Sequence, residues 1–375
     1  MKQFYVQQNE AGQRLDKLLS KILNKAPKSF IYKMLRKKNI VLNGKKAEGS
    51  ELLILQDEIK LFLSDETMEQ FNEPADTTEV EQNLAVIYED QHILVVNKPL
   101  GVLSQKAAKE DISMVEYIMS YLLSTKQISK EQLISFKPAV CNRLDRNTSG
   151  ILIAGKSLLG LQEMARLLKD RSLDKYYLCI VKGRVEGKKR IEGYLSKDEE
   201  KNMVTITPTQ LENTEYICTE YEPLLYTKNT VNLKNSTSRG AVSSWKAESS
   251  EARYRDDRVN VTEINETGRK EAGTKEQEGA KGMYTLLQVK LITGRSHQIR
   301  AHLASIGHPL LGDFKYGDQK TNHYFKLNYS LTHQLLHSYR MVFPEMEGEL
   351  SYLSGKEFKA EVPEIFIKIK NDLFK

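Results

Sequence analysis

Three short segments of this 375-residue chain hold residues whose types and spacing could do chemistry. The first is Cys141-Asn142-Arg143-Leu144-Asp145-Arg146-Asn147-Thr148-Ser149-Gly150, which runs into the apolar stretch Ile151-Leu152-Ile153-Ala154. An Asp flanked by two Arg has a stabilised carboxylate and a lowered pKa wherever the guanidinium groups approach it. Such a carboxylate can serve as a nucleophile in covalent catalysis. The same spacing suits an ion-paired surface turn, and nothing local separates the two. The second segment is Thr293-Gly294-Arg295-Ser296-His297-Gln298-Ile299-Arg300-Ala301-His302. It reads as a turn and then a helix beginning near Ser296, with His297 and Arg300 three residues apart on one face. Helix N-terminal N–H groups beside Arg side chains suit a phosphate or a carboxylate; a solvated basic helix start has the same pattern. The third segment is Lys175-Tyr176-Tyr177-Leu178, where strand alternation sends one Tyr to each face. One ring could stack on a base, or both are ordinary strand aromatics.

The elements that must carry these segments lie between residues 84 and 375. Leu84–Tyr88, Ile93–Asn97, Ile151–Ala154, Tyr177–Val181 and Leu286–Val289 read as strands, and Leu158–Leu168 and His297–Ile306 as helices. Strands outnumber helices without a regular βαβ alternation, so the expected class is α+β with a mixed, largely antiparallel central sheet. Residues 226–282 are rich in Lys, Arg, Glu, Ser, Thr, Asn and Gly and hold the sole Trp, Trp245. Such a stretch can bury little, and it is expected to be a disordered excursion between the strands Thr219–Leu225 and Tyr284–Lys290.

Residues 1–63 form a separate small α/β unit on this reading. Leu15, Leu18, Leu19 and Ile22 share one helical face; Ile31, Met34 and Leu35 mark a second helix after Pro27. Ile40-Val41-Leu42 reads as a strand followed by an Asn43-Gly44 turn, and Asp57–Leu61 as the closing strand. Between Gly12 and Leu63 stand twelve Lys or Arg against five Asp or Glu, an excess larger than the whole chain's +6. Residues 64–83 contain no Lys or Arg and are expected to be a flexible acidic linker.

Composition narrows the rest. Lys plus Arg total 56 against 50 Asp plus Glu, and 40% of residues are hydrophobic. That permits an acidic partner without demanding one. The three cysteines, Cys141, Cys179 and Cys218, have no metal-ligand spacing and no disulfide pattern, so no metal is expected. The first ten residues are polar, and no apolar run reaches the roughly 20 residues of a membrane helix. A cytoplasmic protein without membrane contact is the expectation.

Taken together, the segments resemble the RluA family of pseudouridine synthases. The resemblance rests on Arg143-Leu144-Asp145-Arg146 ending in Thr148-Ser149-Gly150, on Val96-Asn97-Lys98-Pro99 with Gly101, and on Lys175-x-Tyr177 and Thr219-x-Tyr221. It continues through Thr293 to Arg300 with His302, Gly307-His308-Pro309, Gly312-Asp313 and Leu336-His337, in the family's order. Residues 12–63 resemble the small RNA-binding module shared by a small-subunit ribosomal protein and tyrosyl-tRNA synthetases. One departure stands out: the family usually has His before the Arg-Leu-Asp-Arg run, and here it is Asn142.

The resemblance implies a pseudouridine synthase fold and isomerisation of uridine in structured RNA, without cofactor. Large-subunit ribosomal RNA is the expected target, transfer RNA the alternative, and a monomer the expected state. It implies Asp145 as nucleophile, Arg300 as its ion-pair partner and Tyr177 as the ring against the uracil, with a further part in proton removal from carbon 5. Whether Asp145 acts at the sugar or at the base stays open. Arg143 would fill the gap left by a flipped nucleotide. Lys98, Arg146, Arg295 and His297 are expected RNA contacts beside it, as are Arg14, Lys17, Arg36 and Lys37 of the first unit. A non-catalytic RNA-binding or ribosome-assembly protein on the same fold is the rival, and a nucleoside glycosidase a more distant one.

Overall fold

The computed structural model describes residues 1–73, 80, 83–228, 231–233 and 280–375. At the N-terminus, β1 (Lys2–Tyr5) is followed by α1 (Leu15–Ile22), α2 (Lys28–Arg36), β2 (Ile40–Leu42), β3 (Lys45–Lys46) and β4 (Glu58–Leu61). The strands form an antiparallel sheet in the order β1-β4-β2-β3. Asn43 and Gly44 both have positive φ, 52° and 72°, which is the geometry a two-residue hairpin turn needs. The apolar faces of both helices close over the sheet, with Leu15, Leu18, Leu19, Ile31 and Leu35 almost fully buried.

The acidic stretch after this unit is not wholly a linker. Asp65–Phe71 form α3, capped by Ser64, whose hydroxyl accepts the Thr67 N–H at 3.2 Å. Met68 is buried in the module core and Phe71 lies 4.5 Å from Phe30. These two apolar residues, spaced three apart on a capped helix, outweigh the acidic composition. Residues 74–79 and 81–82 of that expected linker lie outside the described residues.

The larger unit comprises β5 (Val86–Glu89), β6 (Ile93–Lys98), α4 (Met114–Ser124), α5 (Gln132–Ser135), β7 (Ala139–Val140), β8 (Ser149–Gly155), α6 (Leu158–Lys169) and β9 (Asp174–Lys182). Then come β10 (Lys189–Asp198), β11 (Met203–Thr207), β12 (Glu215–Tyr226), β13 (Val231–Leu233), β14 (Ala280–Gly282) and β15 (Tyr284–Leu291). The chain ends with α7 (Gln298–Ser305), α8 (Gln319–Tyr329), β16 (Leu336–Val342), β17 (Glu357–Lys359) and α9 (Glu364–Leu373). Eleven strands make one sheet, ordered β11-β10-β12-β15-β9-β16-β8-β6-β5, with β17 beside β16 and β7 beside β8. The sole parallel pair among the described strands is β8 with β16, so the sheet is mixed and largely antiparallel, as expected.

The central strands are continuous apolar runs because both faces are covered. In β6, Ile93 and Val95 pack with Met164 and Leu167 of α6, while Leu94 and Val96 pack with Ile118 and Leu122 of α4. In β9, Tyr177, Cys179 and Val181 meet Ile299 and Leu303 of α7, while Ile180 faces Phe366 and Ile369 of α9. Gly150 in β8 has φ of 111°, and a Cβ there would stand 2.1 Å from the Ser338 carbonyl oxygen. Only glycine lets β8 and β16 approach so closely.

The strands expected on either side of residues 226–282 are β12 and β15. At the two ends of that stretch, Val231–Leu233 pair antiparallel with Ala280–Gly282, so strand structure extends past the boundary expected for disorder. Residues 229–230 and 234–279, Trp245 included, lie outside the described residues. Among the described residues, no helix is long and apolar enough to cross a membrane.

Candidate active site

Asp145 sits in the loop between β7 and β8, and that loop is tied on both sides of it. The Leu144 N–H donates to the Ser104 hydroxyl at 3.0 Å, and that hydroxyl donates to the Leu144 carbonyl at 2.9 Å. The Arg146 carbonyl accepts from the Gly101 N–H at 3.0 Å and from Lys98 Nζ at 3.0 Å. Lys98 also donates to the carbonyls of Pro99 at 2.9 Å and Val102 at 2.6 Å, which uses all three of its protons. It is fully buried, and burial pushes its pKa down to about 8. Lys98 is therefore not an RNA contact, contrary to expectation. Three main-chain oxygens saturate its ammonium and leave no proton for a phosphate.

The partner of Asp145 comes from across the chain. Arg300 Nη1 donates to Asp145 Oδ2 at 3.0 Å. The remainder of the guanidinium fork is held by Asp313, with Nε to Oδ2 at 2.7 Å and Nη2 to Oδ1 at 2.9 Å. Asp313 is wholly buried and also accepts the N–H groups of Lys315 at 2.9 Å and Tyr316 at 3.1 Å. Burial works against both charges, yet their pairing raises the Arg300 pKa and lowers that of Asp313. Tyr316 lies under the guanidinium at 5.2 Å and hydrogen-bonds His297 Nδ1 at 2.9 Å. Burial, with the Arg300 charge, lowers the His297 pKa and favours its neutral imidazole, although Asp145 opposes this.

His297 is the left-handed residue before α7, with φ of 53°, so it does not share a helical face with Arg300. All residues from Gln298 to Leu303 are buried, which excludes a solvated basic helix. Gln298 pins the turn ahead of the helix by accepting from Thr293 Oγ1 at 2.8 Å and the Arg295 N–H at 3.1 Å.

Tyr177, on β9, is paired in register between Val289 and Ser338. Its ring is buried, and burial with the Asp145 charge pushes the phenol up to about 12. It is therefore neutral near neutral pH, which suits packing against a ring better than proton removal by its phenolate.

Asp145, Tyr177 and Arg300 line one cleft of about 800 Å³. Leu144, Leu291, Ile299 and Leu336 supply apolar walls. Eight Lys or Arg residues line it, and Asp145 is the one carboxylate among the described lining residues. Arg143, Arg146, Arg295 and His297 are brought to this cleft as expected. The two arginines beside Asp145 in sequence do not pair with it: Arg143 is exposed, and Arg146 approaches Asp111 at 3.9 Å. Arg295 pairs with Glu215 at 2.8 Å. Asn142 turns its amide onto β8, accepting the Ile153 N–H at 2.8 Å and donating to the Ile151 carbonyl at 3.2 Å.

Arg14, Lys17, Arg36 and Lys37 are exposed on the N-terminal module and do not line the cleft. Arg14 is tied to Asp16 by two hydrogen bonds, 3.0 and 3.1 Å, while Tyr32 donates to the same carboxylate at 2.8 Å. Sequence reasoning missed the roles of Asp313, Tyr316 and Ser104. Gly312-Asp313 was visible as a turn, but nothing in a turn announces a buried carboxylate.

A family described as RNA pseudouridylate synthase matches residues 92–305 of the chain. The chain belongs to that family. RNA pseudouridine synthases similar to it cover nearly its full length. One, from Mycoplasma genitalium, is an uncharacterised RNA pseudouridine synthase, 27% identical over 96% of this chain and 95% of its own. Ribosomal large subunit pseudouridine synthase C of Vibrio cholerae is 23% identical over 97% of this chain and 96% of its own. Ribosomal large subunit pseudouridine synthase D of Borreliella burgdorferi is 26% identical over 88% and 82%. The protein is an RNA pseudouridine synthase, an isomerase whose substrate is RNA.

Proposed function

We propose that this synthase isomerises uridine in large-subunit ribosomal RNA, with the Asp145 carboxylate as its nucleophile and no cofactor. The observation that carries the reading is the Asp145–Arg300 pair in a cleft with no second lining carboxylate among the described residues. The N-glycosidic bond breaks, the uracil turns, and carbon 5 bonds to the sugar in place of nitrogen 1; carbon 5 gives up its proton and nitrogen 1 takes one up, so the exchange balances. No atom is gained or lost. Arg300, itself fixed by Asp313, aims one oxygen of Asp145 and leaves the other for the nucleotide. A preorganised ion pair of this kind does not have to reorient as charge shifts. The neutral Tyr177 ring and the surrounding leucines take the uracil. Reaching it requires flipping the nucleotide out of its stack, at a cost of about a few kcal/mol. Arg143, exposed at the rim, is placed to stack in the gap. The ribosomal target is supported by the names of the similar C and D synthases and by the basic module at the N-terminus.

A glycosidase normally sets two carboxylates about the bond it cleaves. The second carboxylate near Arg300 is Asp313, which is enclosed and fully engaged. The test is incubation with transcribed large-subunit ribosomal RNA, followed by mapping of pseudouridine and measurement of free uracil. Wild type yields pseudouridine and no uracil. Asp145→Asn lowers the rate by at least roughly 10⁴-fold while RNA affinity stays within about threefold. Wild-type turnover in that variant, or release of uracil, overturns the proposal.

A further inference from the structure

Two lysines near the active-site loop meet opposite fates. Lys98 has three carbonyl partners. Lys175 is also buried, 7% exposed, yet its ammonium has no hydrogen-bond or ion-pair partner among the described residues. The nearest acid in sequence, Asp174, is engaged with Lys290 at 2.7 Å. Lys175 lines the active-site cleft, and its Nζ lies 3.8 Å from where a Cβ on Gly294 would stand. Burial depresses its pKa, the nearby Arg171 adds to this, and Asp174 opposes it. The side chain is buried along its length while the residue lines the cleft, and an anion entering there would gain a charge-assisted hydrogen bond from an ammonium that no protein group occupies among the described residues.

We propose that Lys175 anchors a backbone phosphate of the flipped nucleotide. The inference rests on the reading of this cleft as the uridine-isomerising site. Lys175 and Tyr177 are two residues apart on β9, so their side chains share the sheet face that carries the cleft. Two residues of strand span about 7 Å, comparable to the breadth of one ribose. With the uracil on Tyr177, the sugar crosses Asp145 and a flanking phosphate comes to Lys175. Gly294 has no side chain to occupy the space beside the ammonium, and the neighbouring lining residues Lys169 and Arg171 keep that end of the cleft cationic. The phosphate thus does for Lys175 what the carbonyls do for Lys98, but only when RNA is bound.

The test uses a synthetic RNA hairpin containing the uridine mapped above. It is made with a natural linkage, or with an uncharged methylphosphonate on the 5′ or the 3′ side of that uridine. On the natural hairpin, Lys175→Met raises KM by roughly ten- to a hundredfold and leaves kcat within about threefold, whereas Lys175→Arg stays near wild type. On one of the two uncharged hairpins, wild type shows the same rise in KM, and Lys175→Met shows no further loss because the two changes remove one interaction. Indifference of wild type to both uncharged linkages overturns the proposal, as do losses that multiply when variant and linkage are combined. If Lys175→Met lowers the melting temperature, the wild-type comparison of linkages and Lys175→Arg still decide. A wild-type enzyme that makes no pseudouridine on the full ribosomal RNA removes the underlying function and this anchor with it. A wild-type enzyme that works, beside an unaffected Lys175→Met, removes the anchor alone.

Discussion

Asp313 never touches the nucleotide in this arrangement, yet the geometry makes it the support of the whole site. Replacing it with Asn keeps the shape and an oxygen for the Lys315 and Tyr316 N–H groups, but removes the charge that grips the Nε–Nη2 edge of Arg300. Breaking a buried ion pair by removing one partner costs about 3–5 kcal/mol. The retained oxygen puts Asp313→Asn near the lower end, about 3 kcal/mol. For a domain of this size each kcal/mol moves the melting temperature by about 2–4 °C, so a fall of about 6–12 °C is expected by calorimetry. The functional loss is separate. Arg300, freed on one side, no longer aims Asp145, and losing one preorganised contact costs on the order of 10²-fold in kcat. RNA affinity stays within about threefold, because nothing on the RNA-facing surface has changed. Single-turnover kinetics on saturating RNA read the chemical step directly. A normal rate in a variant of lowered melting temperature refutes the positioning role and leaves Asp313 as packing alone. No change in either quantity refutes the buried pair itself.

Removing the charges of Lys17, Arg36 and Lys37 together, each to Ala, should weaken RNA binding at low salt. It should also flatten the slope of log affinity against log salt by up to about 3, since each phosphate contact contributes slightly less than one; an unchanged slope places the RNA elsewhere. His337 is fully buried, accepts from or donates to Ser149 Oγ at 2.8 Å and faces the Ala360 carbonyl at 3.3 Å, and burial pushes its pKa down to about 4. Its folded pKa is below the unfolded value near 6.5, so the unfolded chain binds the extra proton first and stability falls as pH drops from about 6.5 to 4. Denaturant titrations across that range should lose up to about 3 kcal/mol through this group, and His337→Asn should show a shallower decline; equal slopes would assign the acid sensitivity to other residues.

The Asp145–Arg300 pair was legible because its residues stand in short, ordered motifs, and the strands were legible because β6, β8, β9 and β15 are apolar runs bounded by turns. What escaped notice depends on burial. Lys98 looks like a surface cation in sequence, and only the folded chain shows three carbonyls converging on it. Asp313 looks like the polar end of a turn. By local spacing alone Arg143 and Arg146 look like the partners of Asp145; only the family resemblance pointed to Arg300, 155 residues away, which is the residue that pairs with it. The helix α4 had a signal that went unused: Ser113 and Glu116 form a capping box ahead of an apolar segment. In α3 the acidic composition masked Met68 and Phe71, whose contacts are with residues far earlier in the chain.

The clamp at Lys98 grips the carbonyl of residue 146, not its side chain. Main-chain oxygens are the same whatever amino acid bears them. Positions 143 and 146 can therefore change identity while Asp145 between them keeps its place. A scaffold of this kind separates what fixes the loop from what the loop displays to the cleft. Exposed side chains on the loop can then be altered with the Asp145–Arg300 pair left undisturbed.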